Sequence, residues 1–243
     1  MTVNGDLAIN GATLALNDTG SFGPGLYRLF DYTGTFSESN GGLQLANPDP
    51  SLSLQYLSGN QQINLLNTGG LTLNFWNANG LASGTTQGGG DGTWTATNAV
   101  WTDATGAATG PMIPRPGFAI FAGDAGTVTI SDADGAVEAD GLQFASDGYN
   151  VIGDGLTLTG ADGEIRVGDG SAASSGYEAA IYSVISGSNG LMKTGEGTLV
   201  LGGSNDYVGD TVIAAGTLRS VKYDALGDAS NRLVLDGGAF HVE

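Results

Sequence analysis

The chain has 243 residues, enough for one large all-β domain or two small ones, and 40% of them are hydrophobic, enough for a core. Its 25 acidic residues face only 7 Lys plus Arg, for a net charge of −18; without a basic stripe to neutralise phosphates, nucleic acid and anionic lipid are excluded as partners. With no cysteine and one histidine, disulfides, thiolate nucleophiles, Cys-ligated metals and multi-His zinc sites are excluded as well.

Glycine is abundant, 43 residues, without the three-residue period of collagen. Charged residues are only 13%, so Asn, Asp, Ser, Thr and Gly must supply the polar surface. The N-terminal Met1-Thr2-Val3-Asn4-Gly5-Asp6 lacks the basic and apolar regions of a signal peptide. No apolar run of 18 residues occurs, so no helix is expected to span a membrane. The last residues, Phe240 to Glu243, stand in mid-strand pattern, and the chain reads as a piece of a longer protein with Met1 added for expression.

Alternating runs recur along the chain. They include Thr13-Leu14-Ala15-Leu16, Ser51 to Gln55, Leu71 to Phe75, Thr127 to Ile130, Leu156 to Thr159, Ile165 to Val167 and Leu233 to Leu235. Period-two alternation turns one face to a core and the other to water. Asx-Gly pairs such as Asn4-Gly5, Asp91-Gly92, Asp147-Gly148 and Asp236-Gly237 punctuate the runs and turn the chain tightly. Ser174 to Ile185 is the best helix candidate, but Ile181 to Ile185 has strand composition. From the residues alone, a sandwich or barrel and a right-handed β-solenoid both fit.

Residues 77–117 break the pattern. They are rich in Gly, Thr and Ala, carry Trp94 and Trp101, and end in Pro111-Met112-Ile113-Pro114-Arg115-Pro116. Three prolines in six residues do not suit a central strand. The segment reads as a loop-rich excursion or junction between 1–76 and 118–243. Trp94, Trp101 and Arg115 are its ligand-binding candidates, since exposed aromatic and Arg side chains anchor interfaces. Trp76, Tyr177, Tyr207 and Tyr223 suit a packed core better.

Other chemistry is thinly supported. The one histidine, His241, has no G-x-S-x-G nucleophile elbow to serve, and an exposed strand position accounts for it. Gly168-Asp169-Gly170-Ser171-Ala172-Ala173 fits a dinucleotide-loop pattern, with Glu196 near the spacing of its acidic partner, but the residues after it read as strand. Gly88 to Gly92 and Asp132-Ala133-Asp134-Gly135 have calcium-loop beginnings without tandem copies or later ligands. Asp132, Asp134, Glu138 and Asp140 would suit a glycosidase cleft, although solvated turn acids explain them as well. A lyase would want basic residues, and Arg115, Arg166 and Lys193 are isolated. No cofactor and no metal are expected.

The stretch from Gly190 to Gly227 reads GLMKTGEGTLVLGGSNDYVGDTVIAAGTLRSVKYDALG. Short alternating runs, Thr198 to Leu201, Thr211 to Ala214 and Thr217 to Val221, are closed by Gly-rich turns; each is too short to stand alone and implies stacking on similar neighbours. It resembles the passenger-associated repeat of bacterial autotransporters at Leu191, Lys193, Thr194, Gly195, Gly197, Thr198, Leu199, Leu201, Tyr207, Gly209, Thr211, Gly216, Thr217, Leu218 and the closing Ala225-Leu226-Gly227. The segments from Trp94 to Gly106, Gly117 to Gly123 and Phe22 to Tyr32 are similar to parts of large autotransporter adhesins.

The resemblance implies an all-β, right-handed parallel β-helix with a loop-rich excursion. At roughly 20–25 residues per coil and ~4.8 Å per stacked strand, about ten coils are expected. It further implies a monomeric passenger at the bacterial surface, tethered through a C-terminal β-barrel translocator that lies outside this piece. The implied function is attachment to a host extracellular-matrix protein or cell-surface receptor, with fibronectin a candidate ligand. A structural stalk and a β-helix polysaccharide hydrolase or lyase are the alternatives.

Overall fold

A computed structural model describes residues 1–17 and 22–243. From Leu73 onward the chain winds as a parallel β-helix. One face stacks the strands Leu73–Trp76, Phe118–Phe121, Gly141–Phe144, Glu164–Val167, Leu191–Thr194, Thr211–Ile213 and Leu233–Leu235. A second, 7-stranded face stacks Gly92–Trp94, Thr127–Ile130, Tyr149–Gly153, Glu178–Ile181, Thr198–Leu201, Thr217–Ser220 and Ala239–Val242. A third, shorter face holds Val137–Ala139, Leu156–Leu158 and Ile185–Gly187.

Alternation explains why these runs stack. In Thr127–Ile130 the side chains of Val128 and Ile130 are buried and the threonines are partly exposed. Register carries the buried positions from coil to coil: Val128 pairs with Val151, Val151 with Ile181, Ile181 with Leu201. One continuous apolar column results, each aliphatic side chain contributing roughly 1.5–3 kcal/mol of burial. The coil from Glu164 to Met192 is longer than its neighbours and holds a 3-10 turn at Ala172–Gly176. That turn and the strand Glu178–Ile181 replace the helix considered for Ser174 to Ile185.

Beyond Ile185–Gly187 the third face carries no strand, and asparagine side chains join the coils instead. Asn205 Oδ1 accepts from the Ile185 amide at 2.8 Å and its Nδ2 donates to Ala225 O at 2.6 Å. Asn231, one coil on, reaches back to the preceding coil alone, accepting from the Gly209 amide and donating to Tyr207 O, both at 2.9 Å.

The described residues among the first 67 do not add coils to this stack. Leu7–Leu14 pairs in parallel with Phe36–Leu45, as a solenoid would, but Gly25–Tyr32 and Leu52–Leu57 both pair antiparallel with Gln62–Asn67. This module has its own core around Leu7, Ile9, Tyr32, Leu43 and Ile63. It lies as a layer on the outside of the first face. Leu26 and Leu66 pack on Phe75, Phe118 and Ile120. Gln143, fully buried, accepts from the Leu26 amide at 2.7 Å and donates to Leu26 O at 2.7 Å and Gly168 O at 2.9 Å. Arg28 pairs with Asp169 at 3.5 Å, and the Arg166 guanidinium lies 4.7 Å from the centre of the Tyr27 ring.

The stack therefore has seven coils rather than about ten, because the N-terminal third is spent on the outer layer. Segment boundaries also differ from those expected. Leu73–Trp76 is the first strand of the first face, and Gly92–Trp94, inside the expected excursion, is the first strand of the second.

Candidate functional site

The excursion closes the N-terminal end of the β-helix. After Gly92–Trp94 the chain loops back, and Trp101–Thr102 pairs antiparallel with both Leu73–Trp76 and Thr109–Gly110. Trp101 sits between Trp76 and Trp94, with ring centroids 5.1 and 4.9 Å away in edge-on geometry, and Phe121 lies 5.6 Å below. Trp94 is 2% exposed and Trp101 1%. The expectation of exposed ligand anchors at Trp94 and Trp101 is therefore corrected: both indoles face inward. The physical reason is the missing coil above. An apolar interior open at one end would meet water, and three large rings cover it, each pair adding roughly 0.5–1.5 kcal/mol beyond burial.

Arg115 is exposed, and its Nη1 donates to Ala96 O at 3.0 Å. It stands between two cis peptide bonds, Ile113–Pro114 and Arg115–Pro116. Beside this proline-rich segment lies a cleft of about 200 Å³, lined by Leu73, Asn74, Thr102, Asp103, Thr109 and Ile113 among others. Sequence reasoning named the segment but not these residues. They come from separate stretches of the chain, and only its antiparallel return gathers them. Of the aromatics, Tyr207 is buried in the core whereas Tyr223 is 97% exposed.

The acidic candidates are not brought together. The Asp132 amide donates to Asp154 Oδ2, Asp134 Oδ2 accepts from Thr97 Oγ1, and Asp140 Oδ1 accepts from Thr159 Oγ1, each at 3.0 Å. Glu138 stands on the third face. Among the described residues no group of three His, Cys, Asp or Glu side chains is placed to hold a metal ion. Gly168 to Ala173 leads into the 3-10 turn rather than a helix, so the backbone amides a pyrophosphate needs are not presented. His241 is exposed on the strand Ala239–Val242, opposite Arg219.

One buried cation stands inside the coils. Lys193 has no exposed surface, and its Nζ donates to the carbonyls of Thr194, Gly195 and Ala215 at 2.8, 2.7 and 3.2 Å. Burial pushes the amine down to about 7, with Glu196 opposing that shift and Arg166 adding to it. The Ala215 carbonyl belongs to the next coil, so this ammonium ties two coils together.

Stacked parallel coils with buried aliphatic columns, closed at one end by a plug and carrying a short glycine-cornered repeat, define a parallel β-helix. Residues 191–219 match the Passenger-associated-transport-repeat family, and there the chain is similar to autotransporter passenger domains. Over its whole length the chain is also similar to the adhesin BmaC autotransporter of Brucella suis biovar 1 (strain 1330). The two are 45% identical over 264 aligned residues, covering 100% of this chain and 7% of that relative. No solved structure matches the chain. No helix among the described residues is long and apolar enough to cross a membrane.

Proposed function

We propose that this segment takes part in attachment of a bacterium to a host surface, as one stretch of a passenger held outside the outer membrane by a C-terminal β-barrel. The observation that carries this reading is the full-length similarity to a protein named an adhesin. The fold suits the task. A rod of stacked coils projects from the cell, and each coil can form on the one before it as the chain emerges. Matrix proteins, fibronectin among them, are the proposed ligands, and the passenger is proposed to act as a monomer.

Binding of the folded chain to immobilised fibronectin, collagen and laminin, with a heat-unfolded control, tests this. Saturable binding that needs the fold supports it. A chain that melts cooperatively and binds none of them, nor whole host cells, points instead to a structural stalk. The stalk reading draws on one observation: the indoles of the excursion face inward, which removes the strongest anchors from the surface.

A further inference from the structure

Asn-Gly occurs five times in the chain, at Asn4, Asn10, Asn40, Asn79 and Asn189, and the fold leaves these pairs in different states. An asparagine carboxamide can be attacked by the backbone nitrogen that follows it, and a glycine there has no side chain to obstruct the approach. The reaction needs that nitrogen and the asparagine Cγ free to meet. The Gly5, Gly80 and Gly190 amides already donate, to Val3 O at 3.1 Å, Asn77 O at 3.2 Å and Val208 O at 3.0 Å. Asn10 pairs with Ser39 in the ladder, and its Oδ1 accepts from Ser39 Oγ at 3.0 Å and Asn40 Nδ2 at 2.6 Å. The carboxamides of Asn79 and Asn189 are tied too, the first to Leu81 and Asp124, the second to Gly160. Asn40-Gly41 differs. Opposite Gly11 the strand Phe36–Leu45 carries three residues, Asn40, Gly41 and Gly42, with no partner in the ladder. All three have positive φ, at +50°, +89° and +62°. Asn40 and Gly41 are exposed, and the Asn40 carboxamide is held by its bond to Asn10.

We propose that Asn40 is a site of spontaneous deamidation, which converts it to aspartate and isoaspartate in the folded chain. This stands apart from the attachment reading. The Gly41 nitrogen attacks Asn40 Cγ and gives up its proton to water. The Cγ–Nδ2 bond breaks, and Nδ2 takes a proton from water and leaves as ammonia, so that a cyclic succinimide remains. Water then opens the ring. Addition at the former side-chain carbonyl yields aspartate; addition at the backbone carbonyl yields isoaspartate, whose main chain runs through the old side chain. Water is the one co-reactant, and nothing is oxidised or reduced. The two glycines let the bulge rotate toward the attack with no Cβ to strain. The product alters the edge of the N-terminal layer. The Nδ2 that donates to Asn10 Oδ1 is lost, and an oxygen takes its place opposite that acceptor. Isoaspartate also lengthens the backbone between the pairs Asn10↔Ser39 and Ala12↔Leu43.

The test ages the whole chain at mildly alkaline pH, folded in one arm and in denaturant in the other. Peptide mapping by mass spectrometry reads conversion at each Asn-Gly pair, and enzymatic methylation of isoaspartate reads the total. The denaturant arm supplies the rate of each pair without the fold. In the folded arm Asn40 is expected to convert first, within about tenfold of its rate in denaturant. Asn4, Asn10, Asn79 and Asn189 should each be slowed at least about tenfold more, because they react only when their bonds open. Asn40→Gly removes the carboxamide and keeps a residue suited to φ +50°; it should melt as the parent does and lose most of the isoaspartate formed in the folded chain. Conversion led by another pair, folding that slows Asn40 as much as the rest, or isoaspartate undiminished in a folded Asn40→Gly would each overturn the proposal.

Discussion

Gln143 offers the sharpest test of how the N-terminal layer is held. Its side chain is fully buried between that layer and the first face, and it satisfies the Leu26 amide, Leu26 O and Gly168 O at once. Gln143→Leu keeps the shape and removes all three bonds. Each orphaned buried group costs roughly 1–3 kcal/mol, and with partial relaxation the loss should total about 3–6 kcal/mol. The loss falls on the docking of residues 22–67, because the coils retain their own ladders. Native-state hydrogen exchange separates the two. Protection of Leu26, Leu65 and Leu66 should fall by about 100-fold or more, at 1.4 kcal/mol per tenfold, while Val151, Ile181 and Leu201 hardly change. A drop smaller than tenfold at Leu26 would show that Phe75, Phe118 and Ile120 hold the layer by apolar contact alone, and the reasoning would fail.

Two further outcomes follow from buried features. Lys193 has its folded pKa pushed down to about 7 from an ordinary 10.5. Between those values the unfolded chain holds a proton that the folded chain has released, so stability rises with pH across that window, by up to about 1.4 kcal/mol per pH unit. Denaturant midpoints at pH 7 and pH 9 should therefore diverge for the parent chain more than for Lys193→Met; equal pH slopes would refute the assignment. Gly216 has φ +63° and a Cβ on it would stand 2.4 Å from the carbonyl oxygens of both Gly195 and Gly197. Gly216→Ala should cost about 2–4 kcal/mol in a melt, while Gly176→Ala, with open space around it, should change little; similar costs for both would contradict the packing.

Much of the coil architecture was legible because its signal is local. Thr127–Ile130, Leu156–Leu158, Thr198–Leu201 and Thr217–Ser220 alternate in sequence and form strands where the alternation places them. The repeat stood out because corner glycines and buried leucines recur in fixed order. Phe118–Phe121 and Gly141–Phe144 gave no such signal. All four residues of each are buried, because the N-terminal layer covers the outer face and alternation vanishes when both sides are covered. Glu164 and Arg166 were unremarkable for the same reason: a covered outer face is a long-range fact. The inward turn of Trp94 and Trp101 depends on the antiparallel return of the chain and on the bare end of the first coil, neither of which is written in the residues around them. The cleft shares that origin.

The layer also divides the rod mechanically. Strands run across the axis, so the hydrogen bonds between coils lie along it, and a pull on the axis loads them one coil at a time. From Leu73 to Val167 the layer binds adjacent coils crosswise through Phe75, Phe118, Gln143 and the Arg28–Asp169 pair, like a splint along a stack of rings. From Leu191 onward the coils depend on their own ladders, the Lys193 tie and the asparagine side chains. Shear that tugs on such a rod would be taken up first in the unsplinted part, by peeling, and would leave the plugged end and its cleft folded.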